Sequence, residues 1–548
     1  MDSKTILAFG LMILIYIFFF QPTVPPQQLP KDSQTTELGS QNSAASESQA
    51  PALNQRSVSM ETGKNAALLK RRLVLENSAL KVDVNGLGQV LDVTLKSYEK
   101  DFGQEAPVKY SFSREPLNKG QLLGADGEAQ WQIQSASTEK ILLVGRADGL
   151  SLERSVQLSP KDPYVLEIQE RVSNTSKMSA RLNPSLKMYH PAEYETGKPG
   201  FWSTILKPQT EVQSLVFYLD GSLNKLVLQD VTNAQERKGT IQYGGFTSRY
   251  FFLGAVPLDT SMNGVSFLRL PSKDIEASFS FTEKQILPGE QTLFTYQLYL
   301  GPKNLAFLNP LGSSLGEVVE YGSWIGPISR VLLTLLNFFH SLIPNFGVAI
   351  ILLTLLVKSL LFPLSYKAAV SARRLQVLAP KMQDIRTRYK DDKFRMQQEV
   401  MTLYKTEKVN PFGGCLPLLL QFPIFIALYR LFFVSIEMRH APFFGWIKDL
   451  SAHDPLLITP IVMVALMWFQ QKITPMPPAM EDNEAVQMQR AMLKWMPLMF
   501  GGLMLFLPAG LNLYFLTNAA FSIVQQIYLN RHLEMKYPLP ASPKAKQA

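Results

Sequence analysis

The sequence predicts an α-helical integral membrane protein of six transmembrane helices carrying one large β-sandwich domain outside the membrane. Three observations predict it. Apolar runs recur at or near the roughly twenty residues a helix needs to cross a bilayer. From Ala66 to Gly301 the apolar residues instead follow the strand period of two. Lysine and arginine gather on one set of loops, as they do on the cytoplasmic face of membrane proteins. Composition agrees: 46% of the 548 residues are hydrophobic, with 33 Phe and 20 Met, so part of the chain is solvated by lipid.

Behind Lys4, Ile6 to Phe20 is an uninterrupted apolar run, either a secretory leader or a first span. No small-residue cleavage site follows it, and QPTVPPQQLP is poor context for cleavage. Residues 1–20 therefore read as an uncleaved signal anchor, the first transmembrane helix. Residues 21–60 are rich in Gln, Ser, Pro, Thr and Ala and nearly free of large aliphatics, so burial cannot repay the entropy of ordering them. They read as a disordered linker. Residues 61–310 form the β domain. Leu80, Val82 and Val84 alternate with Lys81, Asp83 and Asn85, Asn85-Gly86 turns the chain before Leu91, Val93 and Leu95, and Phe294, Tyr296, Leu298 and Leu300 alternate at its far end.

Residues 318–344 place Trp324, Ile328, Val331, Leu332, Leu335, Phe338, Phe339 and Leu342 near helical spacing with Arg330 and His340 between them, which predicts an amphipathic helix lying in the interface. Residues 345–364 are the second span, and within it stands one cation, Lys358. At 1.5 Å per residue Lys358 lies about 9 Å short of Leu364, inside one leaflet. Two readings stand: a snorkelling anchor whose stem lifts the ammonium towards the headgroups, or a functional charge facing a wet cavity. Thr354, four residues earlier on the same face, favours the second.

Residues 365–414 carry eleven Lys and Arg against five acids. The steps Leu375, Leu378, Met382, Ile385, Tyr389 and Met396, Val400, Leu403 predict two helices folded into a hairpin that turns at residues 390–393, with Pro380 interrupting the first. Residues 415–436 are the third span, with Gln421 and Pro423 inside it and Arg430 near its far end, where Phe443, Phe444 and Trp446 mark the opposite interface. Residues 456–471 and 493–507 hold runs shorter than a usual span, and read as the fourth and fifth helices through a thinned bilayer or as local cores. Pro508-Ala509-Gly510 turns the chain back into a sixth span, 509–529. Its Tyr514, Asn518, Ser522 and Gln525 form a polar stripe, a groove lining or a seam of helix-to-helix hydrogen bonds. Residues 530–548 are a basic tail, whereas 437–455 holds only Arg439 and Lys448 against three acids. Hairpin, tail and both termini thus face the cytoplasm, the β domain lies in the periplasm, and the membrane is a bacterial inner membrane.

One cysteine excludes an intramolecular disulfide framework, and five scattered histidines give no metal-ligand spacing. Large β-sandwiches of the mutarotase type include carbohydrate enzymes, but this region offers only His190 where an acid and base pair is needed. A transporter needs a polar path through both leaflets; here the polar groups crowd to one side.

The run Asn410-Pro411-Phe412-Gly413-Gly414-Cys415-Leu416-Pro417, continuing to Gln421, Pro423, Ile424 and Phe425, resembles the entry into the third helix of the bacterial Oxa superfamily. Pro508-Ala509-Gly510-Leu511 leading to Tyr514, and a cation four residues after Thr354, resemble that family too, and the likeness spans essentially the whole chain. Two positions depart: Lys358 stands where the family usually has arginine, and Phe515 where many relatives have a second tyrosine. The resemblance implies a five-helix core around a hydrophilic groove open to cytoplasm and lipid. It implies insertion and folding of nascent membrane-protein clients, alone or with the Sec translocon, without cofactor, metal or chemical reaction. Lys358, Thr354, Gln421, Tyr514, Asn518 and Ser522 are expected to line the groove. The charge of the hairpin and tail points to the ribosome and its targeting machinery, or to lipid headgroups.

Overall fold

The computed structural model describes residues 62–100, 106–112, 116–121, 129–147, 149–190, 214–258, 262–272, 274–312, 314–322, 324–390, 392–407, 409, 416–474 and 495–538. The signal anchor, the linker, the 410–415 motif and most of the basic tail lie outside them.

The alternation read at 80–84 becomes a strand, Leu80–Asn85, with Leu80, Val82 and Val84 fully buried. The turn is wider than Asn85-Gly86. Asn85 accepts at its side-chain oxygen from the amides of Leu87 (3.0 Å) and Gln89 (3.1 Å), and Gly88, at φ 75°, takes the left-handed position. Gly86 has another reason to be glycine: its amide donates to the Leu68 carbonyl, and a Cβ there would stand 2.6 Å from that oxygen. Strands Arg72–Glu76, Leu80–Asn85, Val90–Glu99 and Pro107–Ser111 make a four-stranded antiparallel sheet. Among the described residues it shares one core with a thirteen-stranded sheet whose paired strands run antiparallel and whose last strand in sequence, Gln291–Pro302, lies in its interior between Phe251–Pro257 and Val165–Asn174. Between the layers Tyr98 and Tyr110 meet Phe251 edge-on. His190 sits there too, its ring 5.3 Å from that of Phe246 and 6.2 Å from that of Phe112.

The amphipathic helix runs over Gly326–Leu342, later than 318 because residues Leu315–Val319 form a 3-10 turn and Pro327 suits a first helical turn. One face buries Ser329, Leu332, Leu333 and Leu336, and the other exposes Val331, Phe338 and Leu342. The second span does not stop at Leu364. It continues through Pro363 to Val377, 32 residues or about 48 Å, because residues 365–377 are good helix formers with no breaker. The hairpin begins later, at Ala379–Arg388, where Pro380 starts a helix instead of interrupting one, and returns as Lys393–Thr406. Lys381 and Glu407 bridge it at 2.6 Å.

Among the described residues one helix, Phe346–Val377, is long and apolar enough to cross a membrane on those grounds alone; Leu420–Val434, Ile458–Ile473 and Trp495–Met504 are apolar but shorter. The Ala509–Lys536 helix has the length, 28 residues, but carries Asn512, Asn518, Gln525, Gln526 and Asn530 along it, and it runs on past 529 into the basic tail. Among the described residues, length and hydropathy therefore single out one of the six expected spans and leave the count of six unconfirmed.

The β domain grips the C-terminal end of the Leu416–Val434 helix and the turn that follows it through residues far apart in sequence. Arg249 is buried, donates to the Phe433 carbonyl and lays its guanidinium 3.6 Å from the Phe433 ring centroid. It thereby caps an otherwise open helix C-terminus with a cation. In return Arg439 donates to the carbonyls of Glu99 and Lys100, and Asn304 to the Glu437 carboxylate at 3.2 Å. Arg249→Ala should cost about 2–4 kcal/mol of docking free energy, combining a charged hydrogen bond with a desolvated cation–π contact. Broadened spin-label distances between the β domain and the Leu416 helix would register it; unchanged distances would refute the clasp.

Candidate functional site

Two helices hold most of the site side by side and parallel. Near one end Gly510 lies against Ile350, in the middle Lys358 meets Ser522, and at the other end Arg373 and Arg374 reach Tyr537. Lys358 is twelve residues from the start of the Phe346 helix and Ser522 thirteen from the start of the Ala509 helix, so both sit about 18–20 Å along. The matched depth brings Lys358 Nζ to within 2.8 Å of Ser522 Oγ.

The polar groups continue as a chain. Ser522 Oγ donates to the Asn518 backbone carbonyl at 2.7 Å, and the Asn518 side-chain oxygen accepts from Gln421 Nε2 at 3.0 Å, which ties in the Leu416 helix. Gln421 also lies within hydrogen-bonding reach of the Tyr514 hydroxyl. Lys358, Gln421, Asn518 and Ser522 are all half-buried, while Tyr514 is buried behind Gln421. Among the described residues no carboxylate forms an ion pair with Lys358; its polar partner is the serine hydroxyl. A lysine so placed is a half-buried cation with donors to spare.

Thr354 does not join this chain. It is 1% exposed, packed beside Leu353 and Ile350, and its hydroxyl is spent on the Ile350 carbonyl at 2.7 Å. Sharing a helical face with Lys358 was insufficient, because one turn earlier in the helix the Thr354 side chain is buried and its hydroxyl is bonded within its own helix. Arg249 and Glu437, which fix the C-terminal end of the Leu416 helix, were invisible to sequence reasoning: Arg249 and Phe433 are 184 residues apart and no local pattern links them.

Comparison with known proteins agrees with this architecture. Residues 72–335 match the family described as YidC periplasmic domain, and residues 338–536 the family described as 60Kd inner membrane protein. The chain is 31% identical to the membrane protein insertase YidC of Syntrophus aciditrophicus over 97% of its length and 100% of the relative's. It is 31% identical to that of Histophilus somni over 98% of both. A crystal structure of an active YidC insertase with its first transmembrane domain resolved aligns with 84% of this chain and 96% of its own, at 16% identity and a TM-score of 0.34. Because the identity runs through both the β region and the helices that carry the polar chain, this protein belongs to the YidC family of membrane protein insertases.

Proposed function

We propose that insertion by this chain works through a hydrophilic groove in which Lys358 attracts the polar or acidic flank of a client, with Gln421, Asn518 and Ser522 lining it and Tyr514 and Thr354 behind. The supporting observation is the half-buried Lys358 ammonium, which no described carboxylate neutralises. A hydrophobic segment with a polar flank cannot cross about 30 Å of hydrocarbon cheaply. A wet groove with a cation shortens the dry path and draws the flank in, and because it only lowers a barrier it needs no cofactor and catalyses no chemical reaction. The purified chain in liposomes should convert a short client with an acidic flank into a protease-protected form; failure to do so would sink the reading.

In this reading the chain has six transmembrane helices, five of them forming the core, with the β domain in the periplasm and the hairpin and both termini in the cytoplasm. Eleven basic residues between 365 and 414 support it. Lys390, exposed at the hairpin turn, gives a direct test. Lys390→Cys should resist an impermeant thiol reagent in intact spheroplasts and react once the membrane is opened, with Cys415 replaced. Labelling in intact spheroplasts would reverse the topology. The same charge suits contact with the anionic ribosome and its targeting machinery, and the groove's lipid-facing side suits work alone or beside the Sec translocon.

A further inference from the structure

We propose that Ser522 sets the depth at which Lys358 presents its charge, and so selects clients by the position of their acidic residue. This rests on the reading of Lys358 as attractor. A lysine carries its ammonium on a flexible four-carbon stem and is strongly hydrated, so left alone it swings towards the headgroups by roughly 6 Å. Ser522 opposes that swing. Its own proton is committed to the Asn518 carbonyl four residues back, at 2.7 Å, which fixes the hydroxyl and leaves a lone pair for Lys358 Nζ at 2.8 Å. Asn518 is itself held by Gln421 from a third helix. The acceptor is therefore rigid, and the parallel register of the two helices fixes its level through their contacts at Gly510 and Tyr537. An ammonium has three donors. One is used on Ser522, and two remain for a client carboxylate at that level only.

The test is a series of clients in which a single Asp moves one residue at a time along an otherwise uncharged flank, inserted by the full chain in proteoliposomes. Wild type should show an insertion maximum at one Asp position, and Lys358→Ala should flatten it. Ser522→Val, which keeps the shape of threonine without a hydroxyl, should move the maximum towards the cytoplasmic side by about two residues of extended flank or four of helix. Ser522→Ala should do the same. Ser522→Thr should restore the wild-type position, which a merely structural role would not require. A maximum that depends on Lys358 but stays in place in both Ser522→Val and Ser522→Ala overturns the role of Ser522 alone. A flat wild-type profile overturns the attractor reading, and this inference with it.

Discussion

Lys358→Ala should lower insertion of clients with negative charge in the translocated segment by tenfold or more, while clients with uncharged flanks lose far less. The size follows from the medium. A charge pair about 4 Å apart is worth about 1 kcal/mol in water and about 4 at the effective dielectric of a partly buried site, and about 1.4 kcal/mol is already tenfold. With Ser522 as its hydrogen-bonded partner and no described carboxylate paired to it, the ammonium is not already neutralised by the protein. Lys358→Arg keeps the charge and adds donors in a planar fork, so it should preserve or improve insertion. Lys358→Glu should fall below Ala because it adds repulsion. A snorkelling anchor predicts the reverse pattern: Ala harmless or stabilising, and no dependence on client charge. Insertion of matched clients differing only in flank charge, at equal protein levels, separates the two. Equal insertion by wild type, Ala and Glu would end the attractor role.

Glu320→Ala should destabilise the junction between the β domain and the helices by about 3–5 kcal/mol, the cost of leaving a buried charge without its partner. Glu320 meets Lys225 at 2.6 Å and Lys303 at 3.5 Å, and the Lys303 side chain is only 2% exposed, with Thr247 Oγ1 as its other contact at 3.3 Å. Burial lowers the Lys303 ammonium to about 8, partly offset by Glu320. Burial also pushes the Glu320 carboxyl up, but the Lys303 and Lys225 ammoniums outweigh it and hold it below its ordinary value. The signs differ between the two groups. Glu320 binds fewer protons folded than unfolded, so its stabilisation is fully present above its ordinary value of 4.5 and is lost as pH falls through the folded value. Lys303 carries a penalty for its charged form that is complete below about 8 and is relieved as pH rises towards 10.5. Thermal unfolding in detergent should therefore show an acid-side loss of Tm in wild type that Glu320→Gln flattens. Glu320→Gln combined with Lys303→Met should recover most of what Glu320→Ala loses. A Tm for Glu320→Ala within one degree of wild type would refute the network's role.

Periodicity carried much of the fold. At Phe294, Tyr296, Leu298 and Leu300 the intervening Thr295 and Tyr299 are buried as well, because that strand is covered on both faces, whereas period-two burial at Leu80, Val82 and Val84 follows from side chains alternating across a strand. The 3 and 4 steps of the hairpin and the polar stripe of Asn518 and Ser522 are legible for the same reason. Element ends were less legible. Pro363 did not stop its helix while Pro380 began a new one, since a proline's effect depends on whether neighbours supply a first turn around it.

The residues alone determined that this protein has a cation within an apolar run, a polar helix face and a basic hairpin, because charge and hydropathy belong to each residue wherever it folds. Only the tertiary structure decided which of them meet. Register between two parallel helices gave Lys358 to Ser522 and left Thr354 packed against its own helix, a difference of one turn that no spacing within either helix encodes. Likewise Arg249 reaches Phe433 across 184 residues only where the assembled β domain meets the end of a helix, and contacts made by assembled surfaces have no local signature in the chain.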